Sequence, residues 1–239
     1  MSVCIVTGCA AGNGLAISRQ LTVDGHQVIG VDRAQPDSGD EGWVLVGDVL
    51  SEDTLQRAFE RALSVGGGEV YLINNAGVTS PEYPQSDSAW DTTLDVNLKA
   101  PFQWARAYSS HVAQGTIKSG GIVFIGSLAT MMGFPRNPAY QASKSGVTGL
   151  ARAFAYDLGQ FGIRSNCLSP GYIQTAMTSK SYNTPELHEA RKRHMLLQRW
   201  GQPQDVANGV SFLCSAKASY ITGINLPIDG GWMACGLTD

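Results

Sequence analysis

Tyr140 and Lys144 stand four residues apart in the sequence, a spacing that places two side chains on the same face of a helix. A tyrosine hydroxyl has a pKa of about 10 and is a poor base near neutral pH. A neighbouring ammonium group stabilises the phenolate and lowers that pKa. The pair is therefore suited to exchange a proton with an alcohol oxygen.

Ser127 is a third polar residue suited to the same reaction of an alcohol oxygen. It follows a predicted strand at residues 122–125 through Gly126, and ligands of parallel α/β sheets bind where strands end. A serine at that edge can hold a substrate oxygen by a hydrogen bond while Tyr140 exchanges its proton. The three residues together predict a site for an alcohol or a ketone.

A glycine-rich segment lies near the start of the chain. Residues 7–14, Thr-Gly-Cys-Ala-Ala-Gly-Asn-Gly, connect a first predicted strand to a first predicted helix. Glycines let the backbone turn sharply, and the helix N-terminus offers N–H groups and a positive dipole end to a pyrophosphate. The spacing differs from the common G-x-G-x-x-G, but its position inside a βαβ unit predicts a dinucleotide site.

Asp32 follows Gly14 by 18 residues and ends the second predicted strand. A carboxylate there accepts hydrogen bonds from the adenosine ribose and repels a 2′-phosphate. Ala11 and Asn13 supply no cation for such a phosphate. Arg33 is the opposing residue, because an arginine can stack on adenine or bind phosphate. We expect NAD, with NADP less favoured.

The elements that position these residues alternate along the chain. Strands are predicted at residues 3–6, 27–31, 44–46, 70–73, 122–125, 164–168 and 224–228. Helices are predicted at about 14–24, after the cap-like Ser51, and at about 87–114 and 139–160. This order predicts one doubly wound, Rossmann-type α/β domain over residues 1–239. Its sheet would be mostly parallel and seven-stranded, with helices on both faces.

Composition limits the classes of partner. The net charge is −3, and the basic residues form no stripe along the sequence. Both features argue against nucleic acid and an anionic membrane surface as partners. No apolar run is long enough for a membrane helix or a signal peptide. The five cysteines form no C-x-x-C pair, so we expect reduced thiols, no metal site and a cytoplasmic protein.

Residues 171–202 differ from the rest of the chain because they are polar and follow no regular pattern of apolar residues. We expect a small substrate lid at about 172–202, over the carboxyl edge of the sheet. Its cationic patch, Arg191 to Arg193, is interpreted as a solvated helix face, the alternative being a site for a carboxylate or phosphate. His188 and His194 lie six residues apart, which does not suit a metal pair on a helix.

Taken in order, these motifs resemble the compact branch of the short-chain dehydrogenase/reductase family over nearly the whole chain. The matching segments are residues 7–14 (T-G-x-x-x-G-x-G), Gly47-Asp48-Val49, Asn74-Asn75-Ala76-Gly77, Asn97, the Ser127/Tyr140/Lys144 set, Asn166 to Gly171 with Thr175, Arg199 to Pro203, and Asp229 to Gly231.

The resemblance implies a role for each matched residue. Ser127 would orient the substrate oxygen and Tyr140 would exchange its proton, so these two bind substrate. Lys144 would lower the pKa of Tyr140 and hold the nicotinamide ribose. Asn97, the fourth catalytic residue, would anchor a water through which Lys144 passes its proton to solvent. The implied cofactor residues are Gly8, Gly12, Asn13, Gly14, Leu15, Asp32, Arg33, Asp48, Val49, Asn75, Ala76, Gly77, Tyr140, Lys144, Pro170, Gly171, Ile173 and Thr175.

The leading hypothesis is an NAD-dependent oxidoreductase of a secondary alcohol or ketone, such as a sugar, polyol or other small metabolite. An NADPH-dependent ketoreductase of the 3-oxoacyl type is the alternative, opposed by Asp32 and by the lack of a basic residue at position 11. Enoyl reductases are disfavoured because such relatives space the tyrosine and lysine more widely. A non-catalytic NAD(H)-binding scaffold usually lacks one of the four catalytic residues.

The resemblance also implies assembly. Relatives form homotetramers through two long helices and the C-terminal segment, here about 87–114, 139–160 and 224–239. We expect a homotetramer, with a dimer as the fallback.

Overall fold

The computed structural model describes residues 2–37, 42–65 and 68–236. Its strands are β1 Val3–Thr7, β2 Gln27–Asp32, β3 Val44–Val46, β4 Glu69–Asn74, β5 Ser119–Ile125, β6 Arg164–Pro170 and β7 Asn225–Ile228. All neighbouring pairs are parallel, in the order β3-β2-β1-β4-β5-β6-β7. The order reverses direction between β1 and β4, and a crevice opens at the carboxyl ends of strands at such a point.

The sheet is buried on both faces, which explains its uninterrupted apolar strands. In β1, Val3 and Ile5 belong to one core cluster, whereas Cys4 and Val6 belong to the other. Successive side chains of a strand point to opposite faces, so one short run supplies both cores.

Helices cover the two faces. The structure has α1 Gly12–Val23, α2 Glu52–Ser64, α3 Asp87–Leu94, α4 Ala100–Ala113, α5 Pro138–Gly159, α6 Ser179–Asn183, α7 Pro185–Lys192 and α8 Pro203–Cys214. Buried residues of α2, α4 and α5 share one core cluster, with Trp104 and Tyr108 at its centre. Ile17 of α1 and Val210 of α8 pack in the cluster on the opposite face.

This arrangement confirms the predicted doubly wound α/β fold with a seven-stranded parallel sheet. Most strand boundaries shift by one or two residues, and β5 begins three residues earlier than predicted. The helix opened by Ser51 is present, and the Ser51 hydroxyl accepts from the Thr54 N–H at 3.3 Å.

The long helical segment predicted near 87–114 is confirmed, since residues 87–113 are helical throughout, but its hydrogen-bond pattern changes within it. A π-helical turn, Asp95–Lys99, separates α3 from α4, and the Ala100 N–H donates to the Asp95 carbonyl five residues back. Pro101 follows this turn. It has no N–H, so it cannot supply the α-helical hydrogen bond that the Asn97 carbonyl would otherwise accept. The proline therefore explains why the regular pattern changes here.

The segment predicted to be irregular contains more helix than expected. It holds α6 and α7, preceded by a 3₁₀ turn at Ala176–Thr178. Helix α8 was not predicted, although Val206, Val210 and Leu213 recur at helical spacing and are buried.

Cys4, Cys9, Cys167 and Cys214 are free and buried, and Cys235 is partly exposed. Within the described ranges, no helix is long and apolar enough to cross a membrane. The last three residues of the C-terminal segment expected at the subunit interface, 237–239, lie outside the described residues.

Tyr108 tests the packing between α4 and the sheet. Its buried hydroxyl donates to the Val70 carbonyl of β4 at 2.8 Å. Tyr108→Phe removes that donor, and we expect the free energy of unfolding to fall by about 1 kcal/mol. Urea unfolding at fixed protein concentration measures the change. Tyr220→Phe is the matched control, because Tyr220 is fully exposed; equal effects of the two substitutions would contradict the expectation.

Candidate active site

The glycine-rich turn needs glycine for two separate reasons. Gly8 and Gly12 have φ values of +69° and +53°, in the left-handed region that glycine adopts without strain. Gly14 is required by close approach, because a Cβ there would lie 1.9 Å from the Gly8 carbonyl oxygen. The turn leaves a shallow backbone cradle at the start of α1.

Thr7 and Asn75 fasten this turn to the end of β4. The Thr7 hydroxyl accepts from the N–H groups of Asn75 and Ala76, at 3.1 and 3.2 Å. The Asn75 side-chain amide donates to the carbonyls of Thr7 and Gly8, both at 2.9 Å. The Asn75 side chain thus positions the turn through these two bonds.

Asp32 lies beside the turn at the end of β2, and its Oδ2 accepts from the Ala10 N–H at 2.9 Å. Arg33 forms an exposed ion pair with Asp48 at 2.7 Å. The Leu50 N–H, and then Arg33, hold the pKa of Asp48 below its usual value. The cation nearest Asp32 in sequence is therefore already paired with a carboxylate.

One cavity of about 690 Å³ joins the glycine turn to the predicted reactive residues. The predicted site residues that line it are Gly8, Gly12, Asn13, Gly14, Asp32, Asn75, Ala76, Gly77, Ser127, Tyr140, Lys144, Pro170, Gly171, Ile173 and Thr175. Five predicted residues are not in its wall, namely Leu15, Arg33, Asp48, Val49 and Asn97.

These five residues have other surroundings. Leu15 lies in the first turn of α1, where its N–H donates to the Ala11 carbonyl at 3.2 Å. The Val49 carbonyl accepts from the Trp104 indole at 2.9 Å, so its backbone supports the core. Arg33 and Asp48 form the surface pair near Asp32.

Asn97 lies behind the cavity wall in the π-helical turn and is buried. Its amide exchanges two hydrogen bonds of 2.8 Å with the backbone of Val78 and donates to the Ser143 hydroxyl at 3.3 Å. A Cβ on Gly77 would lie 3.3 Å from Asn97 Oδ1 and 3.5 Å from Lys144 Nζ. Asn97 and Lys144 are thus neighbours across Gly77.

Ser127 and Tyr140 face each other at the carboxyl end of β5. The Ser127 hydroxyl caps the 3₁₀ turn Leu128–Thr130 by accepting from the Ala129 N–H at 3.2 Å. Burial raises the pKa of Tyr140, and a hydrogen bond with Ser127 opposes this rise without cancelling it. The hydroxyl of Tyr140 is therefore protonated at neutral pH in this state.

Lys144 is buried, and its ammonium donates to the Ile125 carbonyl at 2.8 Å. It lies 5.8 Å from the centroid of the Tyr140 ring, and burial lowers its own pKa to about 8. Lys144 is not among the groups that shift the pKa of Tyr140, which loss of solvent raises against the hydrogen bond with Ser127; the lowering of that pKa by Lys144 stays a prediction.

Tyr172, which lines the cavity, belongs to an aromatic cluster behind the wall. The Tyr172 ring lies 4.8 Å from Trp232 and 5.4 Å from Trp200 between ring centroids. His188 stacks on Trp200 at 5.4 Å, and His194 stacks on Trp232 at 4.9 Å. In the described part of the chain, no three His, Cys, Asp or Glu side chains form a group that could hold a metal ion.

The cavity wall also includes residues outside the predicted site set. Phe134, Tyr172 and Met177 line it. Asn137, Ser181 and Arg191 line it as well. In the sequence, Arg191 stands out only as part of the cationic patch Arg191 to Arg193. That patch does not show which of the three side chains faces the cavity.

Comparison with known proteins gives close matches over nearly the whole chain. A family model described as enoyl-(acyl carrier protein) reductase matches residues 8–233. Dehydrogenase/reductase SDR family member 4 of Homo sapiens is 34% identical, covering 96% of this chain and 86% of that protein. The 2-dehydro-3-deoxy-D-gluconate 5-dehydrogenase of Escherichia coli (strain K12) is 32% identical over 97% of this chain and 95% of that protein. A Mycobacterium tuberculosis 3-oxoacyl-[acyl-carrier-protein] reductase is 34% identical over 95% of this chain and 91% of that protein.

Solved structures agree with this grouping. A candidate 2-deoxy-D-gluconate 3-dehydrogenase from Agrobacterium tumefaciens, with bound NADP, superposes with a TM-score of 0.87 at 34% identity, covering 98% of this chain and 96% of that chain. A 4-hydroxyisoleucine dehydrogenase complexed with NADH superposes with a TM-score of 0.88 at 30% identity, covering 98% and 99%.

The buried Lys144 predicts a pH-dependent stability. Its pKa is about 8 in the folded protein and 10.5 ordinarily. Between those values the unfolded chain binds more protons than the folded chain, so stability rises with pH. Below about pH 8 the cost of burying the charge is fully present.

Lys144→Met removes this contribution. We expect its stability relative to the parent protein to fall by on the order of 2 kcal/mol between pH 7 and pH 10. Urea unfolding of both proteins without cofactor, at several pH values, measures the difference. A difference that does not change with pH would contradict the lowered pKa.

Proposed function

This chain belongs to the short-chain dehydrogenase/reductase family, and we propose that it is an NAD-dependent oxidoreductase of secondary alcohols and ketones. One observation carries the proposal. A single cavity is lined by the glycine turn and Asp32 at one end and by Ser127, Tyr140 and Lys144 at the other. The cavity thus has a place for a dinucleotide and a proton-exchanging group beside it.

The residues present fit a dinucleotide. Gly8, Gly12 and Gly14 line the cavity, and a side chain at Gly8 or Gly14 would collide with the backbone of Ala76 or of Gly8, so the turn offers backbone alone to a ligand. Asn13 Oδ1 is buried without a hydrogen-bond partner, an unusual state for a polar atom that a ligand hydroxyl in the cradle would relieve. These residues would hold the pyrophosphate and adenosine portion, and Lys144 would hold the nicotinamide ribose.

A nicotinamide supplies the hydride acceptor or donor of the reaction. The protein contributes the proton transfer. Ser127 holds the substrate oxygen, and Tyr140 donates a proton to it in ketone reduction or removes one in alcohol oxidation. Because burial keeps Tyr140 protonated, the state described is ready for reduction. Oxidation requires the phenolate, which the cationic form of Lys144 favours.

Lys144 can pass its proton toward Asn97. The side chain of Asn97 is occupied by Val78 and Ser143. The group of Asn97 that would anchor a water molecule is therefore its main-chain carbonyl. In a regular α-helix this carbonyl would accept from the N–H of residue 101, but residue 101 is a proline and has no N–H.

The preference for NAD rests on the charges around Asp32. The carboxylate faces the cavity, and the charge of Arg33 is engaged by Asp48. A 2′-phosphate would therefore meet a negative group beside a cation that is already paired.

An NADPH-dependent 3-oxoacyl reductase is the second candidate, favoured by the similar Mycobacterium tuberculosis reductase and opposed by Asp32. The matching family model is described as an enoyl reductase, but the four-residue spacing of Tyr140 and Lys144 favours alcohol–ketone chemistry. The Escherichia coli and Agrobacterium tumefaciens relatives support a sugar-like or other small polyol substrate.

We also propose a homotetramer assembled through α4 and α5. Phe102 of α4 and Tyr156 of α5 are exposed, and burial of such side chains against a second subunit would stabilise the assembly.

Tyr140→Phe tests the proton-transfer role. We expect kcat to fall by about 10²- to 10⁴-fold, because the variant has no acidic proton to exchange. The Kd for NADH, measured by fluorescence titration, should change little. Tyr220→Phe is the control, since Tyr220 is fully exposed. Retention of normal turnover by Tyr140→Phe would refute the assignment.

Asp32 decides the choice between the two cofactors. We expect the protein to bind NADH more tightly than NADPH, and Asp32→Ser to reduce that preference by about tenfold or more, since a like-charge contact is removed. Parallel fluorescence titrations with both cofactors measure it, with Asp53→Ser on the exposed face of α2 as control. Tighter binding of NADPH by the unmodified protein would reverse the proposal.

A further inference from the structure

Arg191 is a cation of the lid that reaches the reactive cavity. It lies in the last turn of α7, and it lines the same cavity as Ser127 and Tyr140. Its guanidinium carbon lies 5.1 Å from the centroid of the Tyr172 ring, which holds the group by a cation–π contact. Its Nε atom is buried without a hydrogen-bond partner. The expectation of a solvated helix face therefore does not hold for this residue.

The neighbouring cations differ from Arg191. Lys192 approaches Glu189 at 4.0 Å, and Arg193 is exposed. Neither lines the cavity. Of the three consecutive basic residues, Arg191 alone is turned inward.

No carboxylate in the cavity wall is placed to neutralise Arg191. Among the described residues that line the cavity, the charged ones are Asp32, Lys144 and Arg191. Asp32 ends β2, four strands from β6, after which the lid begins. Four strand spacings amount to roughly 19 Å. Asp32 thus lies at the opposite end of the cavity, where it accepts from Ala10.

We propose that Arg191 binds a carboxylate of the substrate, so that the protein acts on hydroxy acids and the corresponding keto acids. This inference rests on the proposed function. Ser127 and Tyr140 would hold the reacting oxygen, and Arg191 would hold the acid group at the other end of the same molecule. Two fixed points orient a flexible substrate more strictly than the hydroxyl contact alone.

The surroundings of Arg191 favour a carboxylate over a phosphate. A guanidinium matches the two oxygens of a carboxylate in a bidentate pair. A phosphate dianion calls for further cations, yet the remaining cation of the described wall, Lys144, is bound to the Ile125 carbonyl. Phe134 and Met177 add apolar wall, where a single charge pair is strengthened by exclusion of water.

Polar wall residues near the same space suit a hydroxylated chain. Thr79, Asn137 and Ser181 line the cavity, and Asn137 donates to the Thr79 hydroxyl at 2.6 Å. That bond leaves the Thr79 hydroxyl proton available to a ligand oxygen. A polyhydroxy acid therefore fits this wall better than a long hydrocarbon acid.

The test compares acids with their neutral amides. Straight-chain 2-, 3- and 4-hydroxy acids and aldonic acids are assayed with NAD, each beside its primary amide, together with neutral secondary alcohols. We expect kcat/KM for at least one acid to exceed that of its amide by about 10- to 100-fold, the usual range for a hydrogen bond to a charged group. Equal values for every acid and amide would overturn the inference.

Variants of Arg191 separate recognition from a structural role. Arg191→Met should lower kcat/KM for the acid by about 10- to 100-fold more than for its amide, which brings the acid-to-amide ratio near one. Arg191→Lys should keep part of the preference, and Arg193→Met, the matched control, should keep all of it. An equal loss for acid and amide would show that Arg191 only supports the lid. A weaker Kd for NADH in Arg191→Met would instead assign it to the cofactor.

The same assays distinguish this inference from the proposed function. Oxidation of neutral alcohols, without preference for any acid, would leave the proposed function standing and overturn the role of Arg191. Failure of every acid, amide and alcohol with both NAD and NADP would overturn both. Thermal unfolding of each variant shows that it is folded, and the acid-to-amide ratio of the unmodified protein needs no variant.

Discussion

The structure depends on the close approach of two backbones where the sheet order reverses. Gly14 rests on the Gly8 carbonyl with no room for a Cβ, and the Thr7 hydroxyl and Asn75 amide tie that turn to the end of β4. Because these bonds join β1 to β4, they fix the position of α1 relative to the reactive strand β5. This junction therefore brings the glycine turn and the residues Ser127, Tyr140 and Lys144 to one cavity.

The second constraint is the removal of Tyr140 and Lys144 from water. Burial raises the pKa of the tyrosine and lowers that of the lysine, so both groups are pushed toward their neutral forms. Neither charged form is favoured by hydration in this environment. The carbonyl of Ile125, at 2.8 Å, keeps the lysine in place.

The lid is built differently from the sheet that it covers. Its short helices α6 and α7 contain no fully buried residue, and they contact the body through Tyr182 and His188, whose rings lie 5.2 and 5.4 Å from that of Trp200. Such a layer is weaker than the core beneath the sheet, which suits an element that must admit substrate.

Sequence by itself determined the features that depend on local geometry. Uninterrupted apolar strands between helices predicted a parallel sheet buried on both faces, and Gly8, Gly12 and Gly14 predicted a turn that no other residue permits. Ser127, Tyr140 and Lys144 followed from strand-end position and helical spacing, both of which are short-range properties of the chain.

Only the tertiary structure decided what depends on distant neighbours. The pKa of Tyr140 is set by burial, and burial arises from elements far apart in the chain. The structure made Asn75 a brace for the glycine turn and paired Arg33 with Asp48. It also turned Arg191, and neither Lys192 nor Arg193, toward the cavity. A sequence gives the charge and spacing of such residues, but the direction each side chain takes is fixed by packing between segments that meet only when the chain folds.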